Sequence, residues 1–395
     1  MSIEQSSTIP KIQKSALGNL KVLDLATFIA GPYCATFLAE FGADVVKVEL
    51  TGTGDPVRKF GTMTDCGDTL LWLSEGRNKR SIELDLRSEE GSDTLKKLVA
   101  EADVLCENFQ VGTLEKWGLG ADVLQAINPN LIIARVTAYG QTGPYKDRPG
   151  FGRIANAFSG ISYLCGEPDS PPASPGTATL SDYMSGLYAA LGVLVALYAR
   201  PQTGRGQIVD IGLYESVFRI LDELAPAFAK NGFVRERMGA GTVNAVPHSH
   251  YLTQDGLWVA IACTTDKIFE RLAKVMNRED VTGDGAYGTI QKREANRGAV
   301  DALVTNWTTR HTREDILLHC AAGEVPCGPV YSIDEIFEDP QYQARENLVT
   351  LDDTRAGSIT IANVCPRLSD TPGKVNWAGR ALGADTAEVL KDWLG

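Results

Sequence analysis

Short Leu- and Val-rich runs alternate with longer mixed-period segments through the first half of the chain. LKVLDLA at 20–26 has the composition of a buried strand. FIAGPYCATFLAEFGA at 28–43 follows as a helix with Gly-Pro near its start, and DVVKVEL at 44–50 is the next strand. Strand–helix–strand is the unit of a parallel sheet. RSIELDL, then SEEGSDTLKKLVAEA, then DVLCENF repeat it, with Ser88 marking the helix start. LEKWGLGADVLQAINP reads as helix and LIIARVTAYG as strand. The early AGP is not a GxGxxG dinucleotide fingerprint, and GRGQ at 204–207 is not a phosphate loop.

The sheet pattern gives way after about residue 215. VFRILDELAPAFAKNGF reads as a helix broken near Pro226, and YLTQDGLWVAIAC as a hairpin turning at Asp255-Gly256. Residues 265–322 are mostly helical in pattern. NLVTLDD and SITIANV alternate as strands, and TAEVLKDWLG closes the chain as a helix. These patterns predict an α/β fold: a large Rossmann-like domain over 1–215, a small α+β domain over 216–325, and a segment 326–395 returning to the large domain.

Composition narrows the function. The 395 residues are 44% hydrophobic and 22% charged, as in a soluble globular protein. A net charge of −12 argues against nucleic-acid partners, which need clustered Lys and Arg. The N-terminal MSIEQSSTIPKIQKS lacks a signal-peptide core. The eight cysteines form no CxxC, so reduced thiols and a cytoplasmic location are expected. The longest uncharged stretch, Tyr183–Ala199, falls short of the roughly 20 apolar residues of a membrane span. It is read as a buried helix, and no membrane partner is expected.

One carboxylate, Asp182, stands just ahead of that stretch. A cap is the ordinary role for Ser or Asp there. Ser181 is a suitable cap, with Asp182 in the first turn favoured by the helix dipole. Local sequence favours this structural role, because caps far outnumber active sites. The same environment suits a nucleophile: a carboxylate held ionised, its pKa pushed down by the dipole and free amides, able to form covalent acyl intermediates. The loop GEPDSPPASPGTA leads into the helix and leaves one face of its start open to a ligand. His248 and His250, in PHSHYL, share a strand face but lack the further ligand a metal site needs. No metal is expected.

Several stretches occur together in one order: KVLDLATFIAGPYCATFLAEFGADVVKVE, GTGDPVRKF, NKRSIELDLRSEEG, ENFQVGTLEKWGLG, AYGQTGPYKDRPG, SDYMSGLYAALG, TGRGQIVDIGLYES and EVPCGPVYSIDEIFEDPQ. Together, over about 20–345, they resemble the class III CoA-transferases, a family that includes acyl-CoA racemases. The resemblance implies a ring-shaped monomer and an interlocked homodimer. It implies no prosthetic group, with a CoA thioester and a small carboxylic acid as substrates. Asp182 falls at the family's catalytic aspartate. Leu84 and Arg87 fall where the family contacts the CoA nucleotide, and Asn108 and Phe109 where it contacts pantetheine. Lys116 matches a basic phosphate-binding position, and Arg148 and Phe151 belong to a CoA-contacting turn. Without the resemblance, Arg87 and Lys116 read as solvated charges and Phe109 as core. Gly239 and Gly241 are candidates for a flexible cover, and His248 for contact with the acceptor acid. Three departures stand out: Leu50 replaces a common Lys or Arg, with Arg58 as a possible substitute; Gly150-Phe151-Gly152 replaces GYD; and the racemases' His is missing from that turn. The GQTGP and RNKRS stretches look like the succinyl-CoA-dependent branch. The expected activity is CoA transfer from succinyl-CoA to a dicarboxylate or a sulfur analogue. The alternatives are an acyl-CoA racemase or isomerase, and a non-catalytic CoA-binding protein.

Overall fold

The computed structural model describes residues 15–177 and 179–395, so most of the N-terminal segment read for a signal peptide lies outside the described residues. The described chain divides into two compact units. The first holds residues 15–162, 174–226 and 343–395; the second holds 163–173 and 227–342.

The first unit is built on six parallel strands: β1 (Lys21–Asp24), β2 (Asp44–Glu49), β3 (Lys79–Glu83), β4 (Val104–Glu107), β5 (Ile132–Thr137) and β6 (Ile208–Gly212). Their order is β3-β2-β1-β4-β5-β6. A parallel sheet needs both faces covered, because the crossover helices lie on them. Here α1 (Ala30–Glu40) and the later long helix cover one face. Helix α2 (Leu70–Glu75) precedes β3, and α3 (Glu89–Glu101) lies on the other face. Ser88 caps α3 as its position predicts, its hydroxyl accepting from the Gly91 amide at 3.0 Å. The segment read as one helix after β4 forms two, α4 (Thr113–Lys116) and α5 (Ala121–Ile127). The chain turns at Gly118, whose φ of +69° is left-handed.

After β5 come α6 (Gly152–Ser159), α7 (Ile161–Leu164) and the 24-residue α8 (Leu180–Thr203). Small residues bring α8 close to α1: a Cβ on Gly186 would lie 2.7 Å from the Ala30 carbonyl oxygen. Ala189, Ala190, Val193 and Ala196 join the same core. The expectation of a buried helix holds for this face alone. Leu187, Leu191, Val195 and Tyr198 form a stripe at helical spacing on the other side, 38%, 55%, 59% and 79% exposed. Sequence pattern misses this because both faces are apolar. Helix α8 is long and apolar enough to cross a membrane by length and composition, although its uncharged stretch alone is shorter. Its small-residue face packs in this core, as in a core helix.

Helix α9 (Leu213–Phe218) and α10 (Leu224–Asn231) replace the predicted helix broken at Pro226. The break lies earlier, at 219–223. Pro226 sits in the first turn of α10, where its missing N–H leaves no helical bond unmade. In the second unit, β7 (His248–Leu252) and β8 (Trp258–Ala262) form the predicted antiparallel hairpin, with Gly256 at φ +77° in its turn. Strand β9 (Cys327–Pro329) completes a three-stranded sheet. Helices α11 (Asp266–Val275), α12 (Ile290–Ala295), α13 (Arg297–Thr308) and α14 (Arg313–Ala322) carry the helical pattern, followed by α15 (Ile333–Glu338) and α16 (Pro340–Ala344). Back in the first unit, β10 (Leu348–Asp353) and β11 (Gly357–Ala362) pair antiparallel. Helix α17 (Thr386–Leu394) puts Val389 and Trp393 into the core beside α3. Asp385, just before it, accepts from the Ser81 amide at 2.8 Å, which ties the chain end to β3.

Candidate active site

In an open parallel sheet, ligands bind outside the carboxyl ends of the strands where the order reverses, here between β1 and β4. A pocket opens at this place. Thr27 follows β1, Leu50 follows β2, Leu84 and Arg87 follow β3, and Phe109 and Trp117 follow β4. Three of the predicted CoA positions, Leu84, Arg87 and Phe109, therefore line one cavity. Phe109 and Trp117 meet edge to face with centroids 5.3 Å apart, an apolar wall. Asn108 supports this site by clamping a lining residue: its amide donates to the Thr27 carbonyl at 2.7 Å and accepts from the Thr27 amide at 2.8 Å.

The charges around the pocket divide into free and committed. The Arg87 side chain is 57% exposed and forks onto Asp85 at 2.8 and 2.9 Å. Lys116 is exposed beside Trp117, with no ion-pair partner among the described residues. Arg148 is exposed and stacks on Tyr145, 3.6 Å from guanidinium to ring centroid. The substitution of Arg58 for the cation missing at Leu50 does not hold. Arg58 is buried, bonds Glu49 through two nitrogens at 2.7 Å, reaches Asp68 at 2.9 Å and stacks on Trp72. Beneath the pocket, Lys47 and Lys79 share Asp24, and Lys47 also pairs with Asp55 at 2.8 Å. Burial alone lowers the pKa of Lys47, but Asp24, Asp55 and Glu49 outweigh it and hold the amine charged. This network is structural, each charge being held by an opposite one.

Asp182 is the third residue of α8. Neither sequence-based assignment of a cap is met. Thr179 is the cap residue and makes no side-chain capping bond, while Ser181 donates instead to the Gly152 carbonyl at 2.9 Å. The carboxyl is partly buried and no cation contributes to its pKa. Burial raises it to about 6, against a smaller lowering by its own backbone N–H. The expected depression is reversed because desolvation of the charge exceeds what the helix start returns.

A short chain of contacts joins the first turn of α8, which carries Asp182, to the pocket. The Phe28 amide donates to Asp55 Oδ1, on the pocket wall, at 3.0 Å. The Phe28 ring meets Phe151 edge on at 6.1 Å. Phe151, 69% exposed, precedes Gly152, whose carbonyl holds Ser181. Phe28 has φ +62°, unusual for a side-chain-bearing residue, and its role was invisible in the sequence. Asp55 offered only the faint turn signal of GDP at 54–56.

Gly239, Gly241 and His248 belong to the second unit. Gly239 is held in place: its amide donates to the Gly166 carbonyl at 3.0 Å, and a Cβ there would meet Glu167 Oε1 at 2.7 Å. The Gly241 amide donates to Met238 at 3.0 Å. His248 begins β7, and its Nδ1 is buried without a hydrogen-bond partner. Among the described residues, no three His, Cys, Asp or Glu side chains come together as metal ligands.

The sheet is Rossmann-ordered, with a pocket at its strand ends and a carboxylate, Asp182, in the first turn of α8. The chain matches CoA-transferase family III over residues 17–386 and belongs to that family. It is 51% identical over 379 residues to the succinyl-CoA–L-malate CoA-transferase alpha subunit of Chloroflexus aurantiacus, covering 96% of this chain and 89% of that one. It is 53% identical over 381 residues to the beta subunit, covering 96% and 94%. A solved CAIB/BAIF family protein from Brucella suis superposes with a TM-score of 0.85 at 35% identity, covering 96% and 100%. The chain is a class III CoA-transferase.

Proposed function

We propose that this enzyme moves CoA from succinyl-CoA to a second dicarboxylic acid, malate or a close analogue, through covalent adducts on Asp182. The observation that carries the reading is the Asp182 carboxyl itself: partly buried, opposed by no cation, and joined by short contacts to the strand-end pocket. Burial makes it more basic than an ordinary Asp, hence a better nucleophile once ionised.

The steps balance as follows. Asp182 attacks the succinyl carbon of succinyl-CoA, the C–S bond breaks, and CoA thiolate leaves a mixed anhydride. The thiolate attacks the aspartyl carbon, giving an aspartyl-CoA thioester and free succinate. The acceptor carboxylate displaces CoA thiolate to form a second anhydride. The thiolate then takes the acceptor's acyl group and restores the Asp182 carboxylate. In this reading Leu84, Arg87, Asn108 and Phe109 hold CoA, with Lys116, Arg148 and Phe151 at the rim. Arg87 exchanges Asp85 for phosphate oxygens, which its fork fits. The subunit works as a cytoplasmic homodimer, interlocked as the family resemblance implies. The exposed stripe on α8 supports an assembled state.

Incubation with succinyl-CoA followed by hydroxylamine trapping and peptide mass spectrometry tests the chemistry. The expected product is a hydroxamate on Asp182. A panel of acceptor acids tests the substrate class. Absence of CoA exchange with every succinate-like acid would reject the dicarboxylate assignment.

A further inference from the structure

The strand-end pocket offers a polyanion little free positive charge. Leu50, Leu84, Leu86, Phe109 and Trp117 make its lining largely apolar. Among the described residues, its charged lining is three carboxylates, Glu49, Asp55 and Asp85, and one cation, Arg87. Glu49 and Asp55 are buried and held by Arg58 and Lys47. Charges paired in this way do not exchange partners, because separating them leaves a bare charge in a dry site. Asp85 and Arg87 differ. Their side chains are 35% and 57% exposed, and the fork between them is closed: Nε donates to Oδ1 at 2.8 Å and Nη2 to Oδ2 at 2.9 Å. Asp85 Oδ1 also accepts from the Arg87 amide at 3.0 Å. The turn that carries both residues is fixed to α3. The Asp85 carbonyl accepts from the Ser88 amide at 3.0 Å and from its hydroxyl at 2.8 Å, and a Cβ on Gly91 would strike that carbonyl. None of these turn contacts uses the Arg87 guanidinium, so the fork can open without disturbing the turn.

We propose that Asp85 is a built-in competitor for the Arg87 fork that sets how tightly the enzyme holds CoA, a role that rests on CoA being the occupant of this pocket. A carboxylate and a phosphate present the fork with the same pair of oxygens, so only one of them occupies it at a time. Binding of a CoA phosphate therefore replaces one charge-assisted pair by another, and the displaced Asp85 carboxylate returns to water. The net gain is the difference between two similar pairs. An exposed ion pair is weak, so the exchange is readily reversed. The proposed cycle tolerates such a loose grip. While the donor acid leaves and the acceptor enters, CoA is attached to Asp182 as a thioester, and no noncovalent affinity is needed to retain it. At the end of the cycle the new acyl-CoA must leave. Lowering affinity speeds that departure, because changes of affinity at one site fall mostly on the dissociation rate. Asp85 acts here through Arg87 and takes no part in the bond-making steps.

Calorimetric titration of the full-length enzyme with CoA itself, which carries no acyl group to transfer, tests this role. Asp85→Asn removes the charge and keeps an acceptor for the Arg87 amide. It is expected to lower the Kd for CoA about threefold and to slow CoA dissociation in stopped flow by a similar factor. Arg87→Ala is expected to raise the Kd about fivefold. In the Arg87→Ala background, Asp85→Asn is expected to lose most of its effect, since the competitor then has nothing to compete for. If Asp85→Asn does not fold, Asp85→Ser takes its place, because a serine oxygen also accepts from the amide two residues on. Unchanged or weaker CoA binding on removal of the charge overturns the proposal. A gain as large without Arg87 as with it also overturns it, because the carboxylate then acts only through the general field. Undiminished CoA binding in Arg87→Ala removes Arg87 from the CoA site, and with it the reading on which the competition depends. A weakened Arg87→Ala beside an unimproved Asp85→Asn sinks the competition alone.

Discussion

The Asp182 carboxyl sits in the first turn of α8, where the helix dipole favours its charge and the surrounding protein disfavours it; burial prevails, and its pKa rises to about 6. Two consequences follow for this one side chain. In its proposed role as nucleophile it must be ionised, so kcat/KM is expected to fall about tenfold per pH unit below about pH 6, measured as initial CoA-transfer rates. As a folded-state group with a raised pKa, it binds its proton more tightly folded than unfolded between about 4 and 6. Stability therefore declines as pH rises through that window, and the penalty is complete above it. Asp182→Asn is expected to abolish turnover and to stabilise the fold by about 1–2 kcal/mol at pH 8, with little gain at pH 4. Equal stability of variant and parent at pH 8 in urea unfolding contradicts the assigned burial penalty.

At the level of elements, the contact between α1 and α8 decides where Asp182 stands. Gly186 permits it: a methyl there would press on the Ala30 carbonyl, which is backbone and cannot rotate away. Gly186→Ala adds helix propensity of about 1 kcal/mol but forces the helices apart. Overpacking of this kind is destabilising by about 1–3 kcal/mol. A net loss of stability in denaturant unfolding is expected, together with weaker activity, because the displaced helix carries the proposed nucleophile, Asp182. A stabilised, fully active Gly186→Ala enzyme contradicts this account of the helix contact. The strand-end pocket is also a product of elements: Leu84, Arg87 and Phe109 meet because β3 and β4 end on the same edge of the sheet.

Across the whole molecule, the exposed stripe Leu187, Leu191, Val195 and Tyr198 is a feature that a single subunit leaves unexplained. With the proposed homodimer, Leu191→Glu is expected to shift the sedimentation coefficient toward that of a monomer while far-ultraviolet circular dichroism stays unchanged. An unaltered dimer after that substitution moves the interface elsewhere. Much of the architecture was legible beforehand. The alternation of strand and helix through 20–140, the cap at Ser88, the turn at Gly256 and the paired strands over 348–362 all follow from local pattern. These features depend on contacts only a few residues apart or on the periodicity of burial, both of which a chain carries in its order of residues.

Other features depend on residues brought together from distant positions. The residue types at Asp182, Leu84, Arg87 and Phe109 were readable from motif order, and so was the parallel sheet. The reversed pKa of Asp182, the loss of Arg58 to Glu49 and Asp68, and the left-handed Phe28 between the pocket and the start of α8 were not. The one-sided burial of α8 was equally hidden, since its two faces are alike in composition. Chain order thus determined which groups are present and which segments are helix or strand, because those follow from local sterics and apolar periodicity. Tertiary structure alone decided which charges are already neutralised and which is left desolvated, because electrostatic energy depends on distance and burial between groups far apart in the chain.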